Sequence, residues 1–375
     1  MKLSKQQKET KEFFHKNSKK WKNNVMRKSS AVINVVEFRN QYVKNLVKNK
    51  LQKKSRILDV GCGSGELVID LLKQKHNAIG IDFAKSMIDI AKKDARKSKL
   101  PTENFIHGSF FDEKFDEKFD EKFDLIIANG FIEYISEKEF QNFIKIAKKN
   151  LNKNGILIIE DPSLLECIKK NSYDQFYNEH IYLFSAISVQ NIINEHGLEI
   201  FDIKNLSTHG GSLRYYIKKK ANINLKISIN VKNQINKEKK HRIHKFETYI
   251  NFSKKVKKSK ENLLKILNNI KKNGYKIIGY GATAKAVTVL NYCNIDKNLI
   301  PNFIDTTPEK INKYIPGKNI KILKYKNNIL KKYDYAFLGA WNFKDEIINK
   351  EKKFFKKGLK FLTHIPKPKI IKYYK

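Results

Sequence analysis

Seven residues, Asp59-Val60-Gly61-Cys62-Gly63-Ser64-Gly65, constrain this 375-residue chain more than any other feature. Glycines at alternate positions let a backbone turn sharply and approach a ligand closely. A short apolar run, Arg56 to Val60, precedes them, and an amphipathic pattern through Leu72 follows. The order is therefore strand, tight turn, helix N-terminus, where free N–H groups favour a carboxylate or phosphate. The spacing is GxGxG, with Glu66 where a dinucleotide fingerprint carries its third glycine. At the end of the next apolar run, Asn77 to Asp82, sits an acid suited to two ribose hydroxyls.

The same alternation continues. Phe123 to Ala128 and Gly155 to Glu160 read as strands, and helical patterns separate the runs. Apolar strands alternating with helices imply a parallel sheet covered on both faces. Leu198 to Ile203 and Ser212 to Ile217 can pair antiparallel across Gly210-Gly211. From Tyr275 a second strand, glycine and helix pattern begins, with later strands expected at Pro301–Asp305, Tyr333–Gly339 and Leu359–Ile365. The fold class is α/β. A Rossmann-like domain, mostly parallel with an antiparallel end hairpin, is followed by helices and a second, smaller Rossmann-like α/β domain. The expected boundaries are a helical segment over 1–54, a first α/β domain over 55–220, a Lys-rich helical connector over 221–273 and a second α/β domain over 274–375. The tetrapeptide repeat DEKFDEKFDEKFD, residues 112–124, reads as a surface insertion grown by repeat slippage.

Charge needs separate treatment. Lys and Arg exceed Asp and Glu by 39, which raises nucleic acid or an anionic membrane as partners. Six residues of that excess are Arg (27, 39, 56, 96, 214 and 242), and the rest is Lys spread along the chain. Nucleic-acid surfaces favour the arginine fork, so solvated lysine faces are the better reading and no nucleic-acid partner is expected. Cys62, Cys167 and Cys293 lie far apart, with no CxxC pair for a zinc module or disulfide framework. Met1 to Phe14 is polar, and no apolar run reaches membrane-spanning length. A reduced, soluble, cytoplasmic protein without a membrane partner is expected.

Two more clusters carry candidate chemistry. Tyr173 to Ser185 is dense in polar-tipped aromatics around Glu179-His180, and Thr208-His209-Gly210-Gly211-Ser212-Leu213-Arg214 keeps one of the rare arginines. Residue type alone leaves packing and catalysis both open there. Gly279, Gly281 and Ala284 fit G-x-G-x-x-A, and Asp305 ends the following strand, a dinucleotide pattern when read by itself.

The first loop with Asp82 resembles the class I methyltransferases that use S-adenosylmethionine (SAM). That resemblance implies SAM as the cofactor. It places the methionine end at Gly61, Gly63 and Gly65, the ribose at Asp82, adenine near Ser109 and Phe110, and Asn129 beside the methionine. The stretch from Tyr173 to Arg214, with GYGATAKAVTVLNYC (279–293) and Trp341-Asn342-Phe343-Lys344-Asp345-Glu346, resembles the sugar C-methyltransferase family. The likeness covers residues 55–375. It implies methylation of a carbon of a nucleotide-linked 4-keto-deoxysugar, with His180 as general base and Tyr177 and Glu179 assisting. It also implies a substrate side that includes Arg214, Gly279, Gly281, Lys285, Trp341 and Asn342, with the second loop and Lys285 toward the pyrophosphate. No metal is expected. Family members commonly begin with a cysteine-rich zinc module, and here a polar helical segment stands in its place. The alternatives are SAM-dependent methylation of an oxygen or nitrogen, a basic nucleic-acid-binding protein, and an NAD-linked enzyme using Gly279 to Ala284. The sugar, the methylated carbon and the oligomeric state are not written in the sequence.

Overall fold

The computed structural model describes residues 5–25, 35–112, 115, 119–177, 180 and 182–373. In chain order the first elements are α1 (Lys5–Val25), α2 (Val35–Lys50), β1 (Arg56–Val60), α3 (Glu66–Lys73), β2 (Asn77–Asp82), α4 (Lys85–Lys97), β3 (Phe105–His107), β4 (Phe123–Asn129), α5 (Glu137–Asn150) and β5 (Leu151–Pro162). Then come α6 (Leu164–Lys170), α7 (Ala186–Glu195), β6 (Leu198–Leu206), β7 (Ser212–Lys219), α8 (Ile229–Lys240) and α9 (Phe246–Lys272). The last stretch holds β8 (Ile277–Tyr280), α10 (Ala284–Cys293), β9 (Asn302–Asp305), β10 (Lys321–Lys324), β11 (Tyr335–Leu338), α11 (Lys344–Lys350), α12 (Lys352–Phe355), β12 (Lys360–Thr363) and β13 (Lys369–Ile371). The described residues form two compact units. The first runs to Ser163 and resumes over Tyr182–Lys240; the second takes the described residues of 164–181 and His241 onward.

The first unit is built on a seven-stranded sheet ordered β3-β2-β1-β4-β5-β7-β6. Its first five strands are parallel, and β7 runs antiparallel to both β5 and β6. The expected end hairpin is thus present, turning through Gly210 (φ 87°) and Gly211 (φ 136°). Helix α5 shows why local sequence suffices in places. Ser136 caps it by accepting from the Glu139 amide, while the Glu139 carboxylate takes the Ser136 N–H back. Its Phe140, Phe143, Ile144 and Ala147 recur at helical spacing and are buried. Helix α7 receives a long-range cap: the Glu238 carboxylate of α8 accepts from the Ala186 and Ile187 amides, both at 2.9 Å. That contact, and packing on β6, ties α8 to the first unit, whereas α9 buries Val256, Leu263, Leu267 and Ile270 within the second. The Lys-rich stretch expected as one connector is therefore shared between the two units.

The DEKF repeat departs from its expectation as a surface insertion. Its phenylalanines fall every fourth residue, and Phe115 and Phe123 are buried in the core of the first unit. Ring centroids run from Phe110 to Phe115 at 4.7 Å, on to Phe119 at 5.2 Å and to Phe123 at 5.1 Å. Each repeat thus supplies one aromatic ring to a continuous ladder. The repeat looked polar because three residues in four are charged; the core reads the fourth.

The second unit repeats the architecture on a smaller scale. Its six strands are ordered β10-β9-β8-β11-β12-β13, parallel except for β13. Strands β3, β10 and β13 were not expected from the sequence. Each has three or four residues at a sheet flank, too few for a periodicity to register.

Phe115→Ala is expected to cost about 3–5 kcal/mol, as for a core phenylalanine, where a surface insertion would lose almost nothing. Urea unfolding of the two proteins measures the difference.

Candidate functional site

The GxGxG turn leaves β1 and enters α3 in the first unit. Gly61, Gly63 and Gly65 have φ of 72°, 54° and 78°, the left-handed region that favours glycine. Their surroundings differ. A Cβ on Gly65 would stand 2.5 Å from the Phe105 ring, so that glycine is demanded by packing. A Cβ on Gly63 would meet nothing within 4 Å, so open space lies over the middle of the loop. The loop is held by Asp82 at the end of β2. One carboxylate oxygen accepts from the Gly63 amide at 3.0 Å and the other from the Ala84 amide at 2.8 Å.

This corner is strongly acidic. Asp82 and Glu66 both act on Asp59, and Asp59 and Asp82 are buried. Burial, then Asp82 and Glu66, pushes the Asp59 carboxyl up to about 8; burial also raises Asp82, against the amide bonds it accepts. A pocket of carboxylates that repel one another favours a bound cation. At the end of β4, the buried Asn129 Oδ1 has no hydrogen-bond partner among the described residues. Open space over Gly63, an acidic floor and an unsatisfied acceptor fit the sulfonium and ammonium groups of SAM. Asp59 and Glu66 carry much of that fit; in the sequence Asp59 reads as part of the strand and Glu66 only as a departure from the dinucleotide spacing.

The expected adenine side is partly remade. The Phe110 ring is buried against Phe115 and Phe143, so its side chain belongs to the core. Ser109 accepts from the Phe111 amide at 3.1 Å and shapes the turn after β3.

Arg214 also takes a different place from the substrate contact expected of it. It lies on β7, is 0 % exposed, and donates from Nε to Glu160 of β5 at 3.0 Å. The other oxygen of Glu160 accepts from Arg39 Nε of α2 at 2.7 Å. The Tyr42 ring lies 3.8 Å from the Arg214 guanidinium carbon. Beside them Glu133 and Asp161 form a buried carboxyl pair, both pushed up by burial, and Asp161 further by Glu133. The network clamps α2 onto the strand ends next to Asn129, its register partner Glu160 and Gly130. The missed signal was Arg39, a second rare arginine in a lysine-rich chain.

The second unit holds the other candidates. His180 is buried, and its Nε2 lies 3.0 Å from the Tyr177 hydroxyl, with the two rings stacked at 4.3 Å. Glu179, expected beside them, lies outside the described residues. Just upstream, on a 3-10 turn over Tyr173–Gln175, the buried Asp174 accepts from Trp341 Nε1 at 2.6 Å and pairs with His364 Nε2 at 2.9 Å. Trp341 is thus brought to the aromatic cluster; Asn342 follows it on a 3-10 turn over Trp341–Phe343, half-buried. The second glycine loop has packing reasons for its glycines. A Cβ on Gly279 would stand 2.3 Å from the Phe303 ring, and one on Gly281 2.8 Å from the Ala340 Cβ. Lys285 does not lie open to solvent as a phosphate contact would: it is 5 % exposed, with its ammonium on Gln175. Asp305 clamps this loop as Asp82 clamps the first, accepting from the Ala282 and Thr307 amides at 2.9 and 2.8 Å. The three cysteines are buried and unpaired with one another. Among the described residues no cluster of three His, Cys, Asp or Glu could hold a metal, and no helix is long and apolar enough to cross a membrane.

Family models also divide the chain in two, but at a different point from the structural units, since the first model includes residues 164–181 and the second begins at residue 207. A methyltransferase-domain family model matches residues 51–222, and a model described as the C-methyltransferase C-terminal domain matches 207–366. The chain belongs to the SAM-dependent methyltransferases. Within them it belongs with the proteins that carry the C-methyltransferase C-terminal domain. It is 29 % identical over 218 residues to C-methyltransferase NovU of Streptomyces niveus, covering 58 % of this chain and 52 % of that one. It is 31 % identical over 129 residues to a ubiquinone biosynthesis O-methyltransferase of Pelagibacter ubique, covering 32 % and 50 %. The chain spans about half the length of the curated relatives it matches. Among solved structures, magnesium protoporphyrin IX methyltransferase from Synechocystis with bound SAM superposes with a TM-score of 0.45 at 16 % identity, covering 58 % of this chain and 99 % of that one.

Two outcomes are expected from this geometry. Glu160→Ala leaves two buried guanidiniums without their carboxylate and should cost about 3–5 kcal/mol in urea unfolding. Below pH 8 Asp59 holds a proton, and a bound cation favours its carboxylate, so SAM binding near pH 7 should release a proton. Calorimetry in buffers of different ionisation enthalpy reads that proton, and Asp59→Asn should abolish the buffer dependence.

Proposed function

We propose that this chain transfers the methyl group of SAM to a carbon of a nucleotide-linked 4-keto-deoxysugar, with His180 as the general base. The observation that carries the reading is the hydrogen bond between the half-buried Tyr177 hydroxyl and the buried His180 imidazole. Carbon beside a carbonyl becomes a nucleophile only when it loses a proton, and an imidazole titrates where it can take one at neutral pH. The Tyr177–His180 bond fixes which ring nitrogen is basic: Nε2 when the hydroxyl donates, Nδ1 when it accepts. Loss of the proton leaves an enolate, whose oxygen needs a donor such as a phenol. The enolate carbon then takes the methyl, the carbon–sulfur bond of SAM breaks with both electrons kept by sulfur, and a neutral thioether leaves. SAM supplies the electrophilic methyl; Asp59, Asp82, Glu66, Gly63 and Asn129 would hold it. The C-methyltransferase C-terminal domain match and the likeness to C-methyltransferase NovU support transfer to carbon.

Purified protein given SAM and a panel of nucleotide-linked keto-deoxysugars should yield a product heavier by one methyl, placed on a carbon by fragment masses. His180→Gln should lower the rate about 10²- to 10⁴-fold and stop solvent deuterium entering beside the carbonyl. A product methylated on oxygen or nitrogen, or full activity in His180→Gln, would defeat the reading.

A further inference from the structure

Lys285 is the first charged residue of α10 and is 5 % exposed. A lysine is almost never buried at that level without a built environment. Here its ammonium meets the Gln175 side-chain oxygen, and Asp174 of the same turn draws on its charge, as does Cys167 of α6. That turn cannot shift easily, because Asp174 is held by Trp341 and His364, both buried. The ammonium stands 5.1 Å from the centre of the Tyr177 ring. The Tyr177 hydroxyl in turn holds His180, whose ring stacks on that of Tyr177 at 4.3 Å. Burial pushes Lys285 down to about 8, against the pull of Asp174, so the group is still a cation at neutral pH. Two cations disfavour each other in a desolvated site, so a charged Lys285 opposes protonation of His180.

We propose that Lys285 is a positioning residue for the Tyr177–His180 pair: it fixes the Tyr177 ring through a cation–π contact and keeps the imidazole neutral, ready to accept a proton. The role rests on His180 acting as the base. The groups that set the field are Lys285 of α10, Asp174 and Gln175 of the 3-10 turn, Cys167 of α6 and the Tyr177 hydroxyl; Glu179 adjoins them in sequence.

The test titrates the His180 imidazole by NMR in the full-length chain with ring-labelled histidine, its signal assigned by loss in His180→Gln. Lys285→Met should raise the His180 midpoint by about one unit, and Lys285→Arg should leave it within a few tenths. Gln175→Glu sets a carboxylate against the ammonium and should also raise it with Lys285 in place, which guards against a Lys285→Met protein that fails to fold. A His180 midpoint unmoved in either folded variant overturns the proposal. Methyl transfer to keto-sugars is read separately: its absence in the unaltered protein sinks the functional reading while the titration still judges Lys285.

Discussion

The first unit depends on one carboxylate. Glu160 lies near the C-terminal end of β5, is wholly buried, and is gripped by arginines from α2 and β7. A charge buried alone is costly, and so is each guanidinium, so the three groups are tolerable only together. That mutual dependence binds α2, the parallel strands and the antiparallel end of the sheet at one point. The point lies beside Asn129 and Gly130, at the mouth of the strands where ligands of open α/β sheets bind. The network therefore sets the position of the β4 end relative to the loop after β1.

Both units solve the strand-to-helix turn with the same physics. In each, the acid ending the second strand reaches back to a loop amide, and the loop amide bonds the strand beside it: Gly61 to Ile81 and Gly281 to Ile304, both at 2.9 Å. What distinguishes them is what surrounds the turn. The first has open space over Gly63 and an acidic floor; the second has glycines pressed against Phe303 and Ala340. Glycine spacing alone reports the turn and says little about the ligand.

This difference marks how far the sequence could be read. The two α/β units and the end hairpin were legible because each leaves a local trace, an apolar run or a glycine pair; Asp82 was legible as an acid at a fixed distance, but as a ribose contact and not as the clamp on the Gly63 and Ala84 amides. Tyr177 and His180 were singled out only through a family resemblance, since residue type left packing and catalysis both open. Arg214, Phe110 and Lys285 were singled out as residues, but their surroundings came from strands and helices far away in sequence. Glu160, Asp174 and His364 leave no local mark, since a buried acid and a surface acid look alike until their partners arrive. The repeat misled because charge dominates its composition while a single phenylalanine per unit does the packing.

That ladder of rings bears on how the gene can vary. A tract of identical four-residue units is prone to copying errors that add or remove one unit. Every such error adds or removes one whole unit, and with it one phenylalanine, and leaves the remaining rings in the same phase ahead of the strand that begins at Phe123. Changes of copy number therefore alter how many rings the tract offers to the hydrophobic interior, while the stretch of three charged residues between neighbouring rings keeps its length.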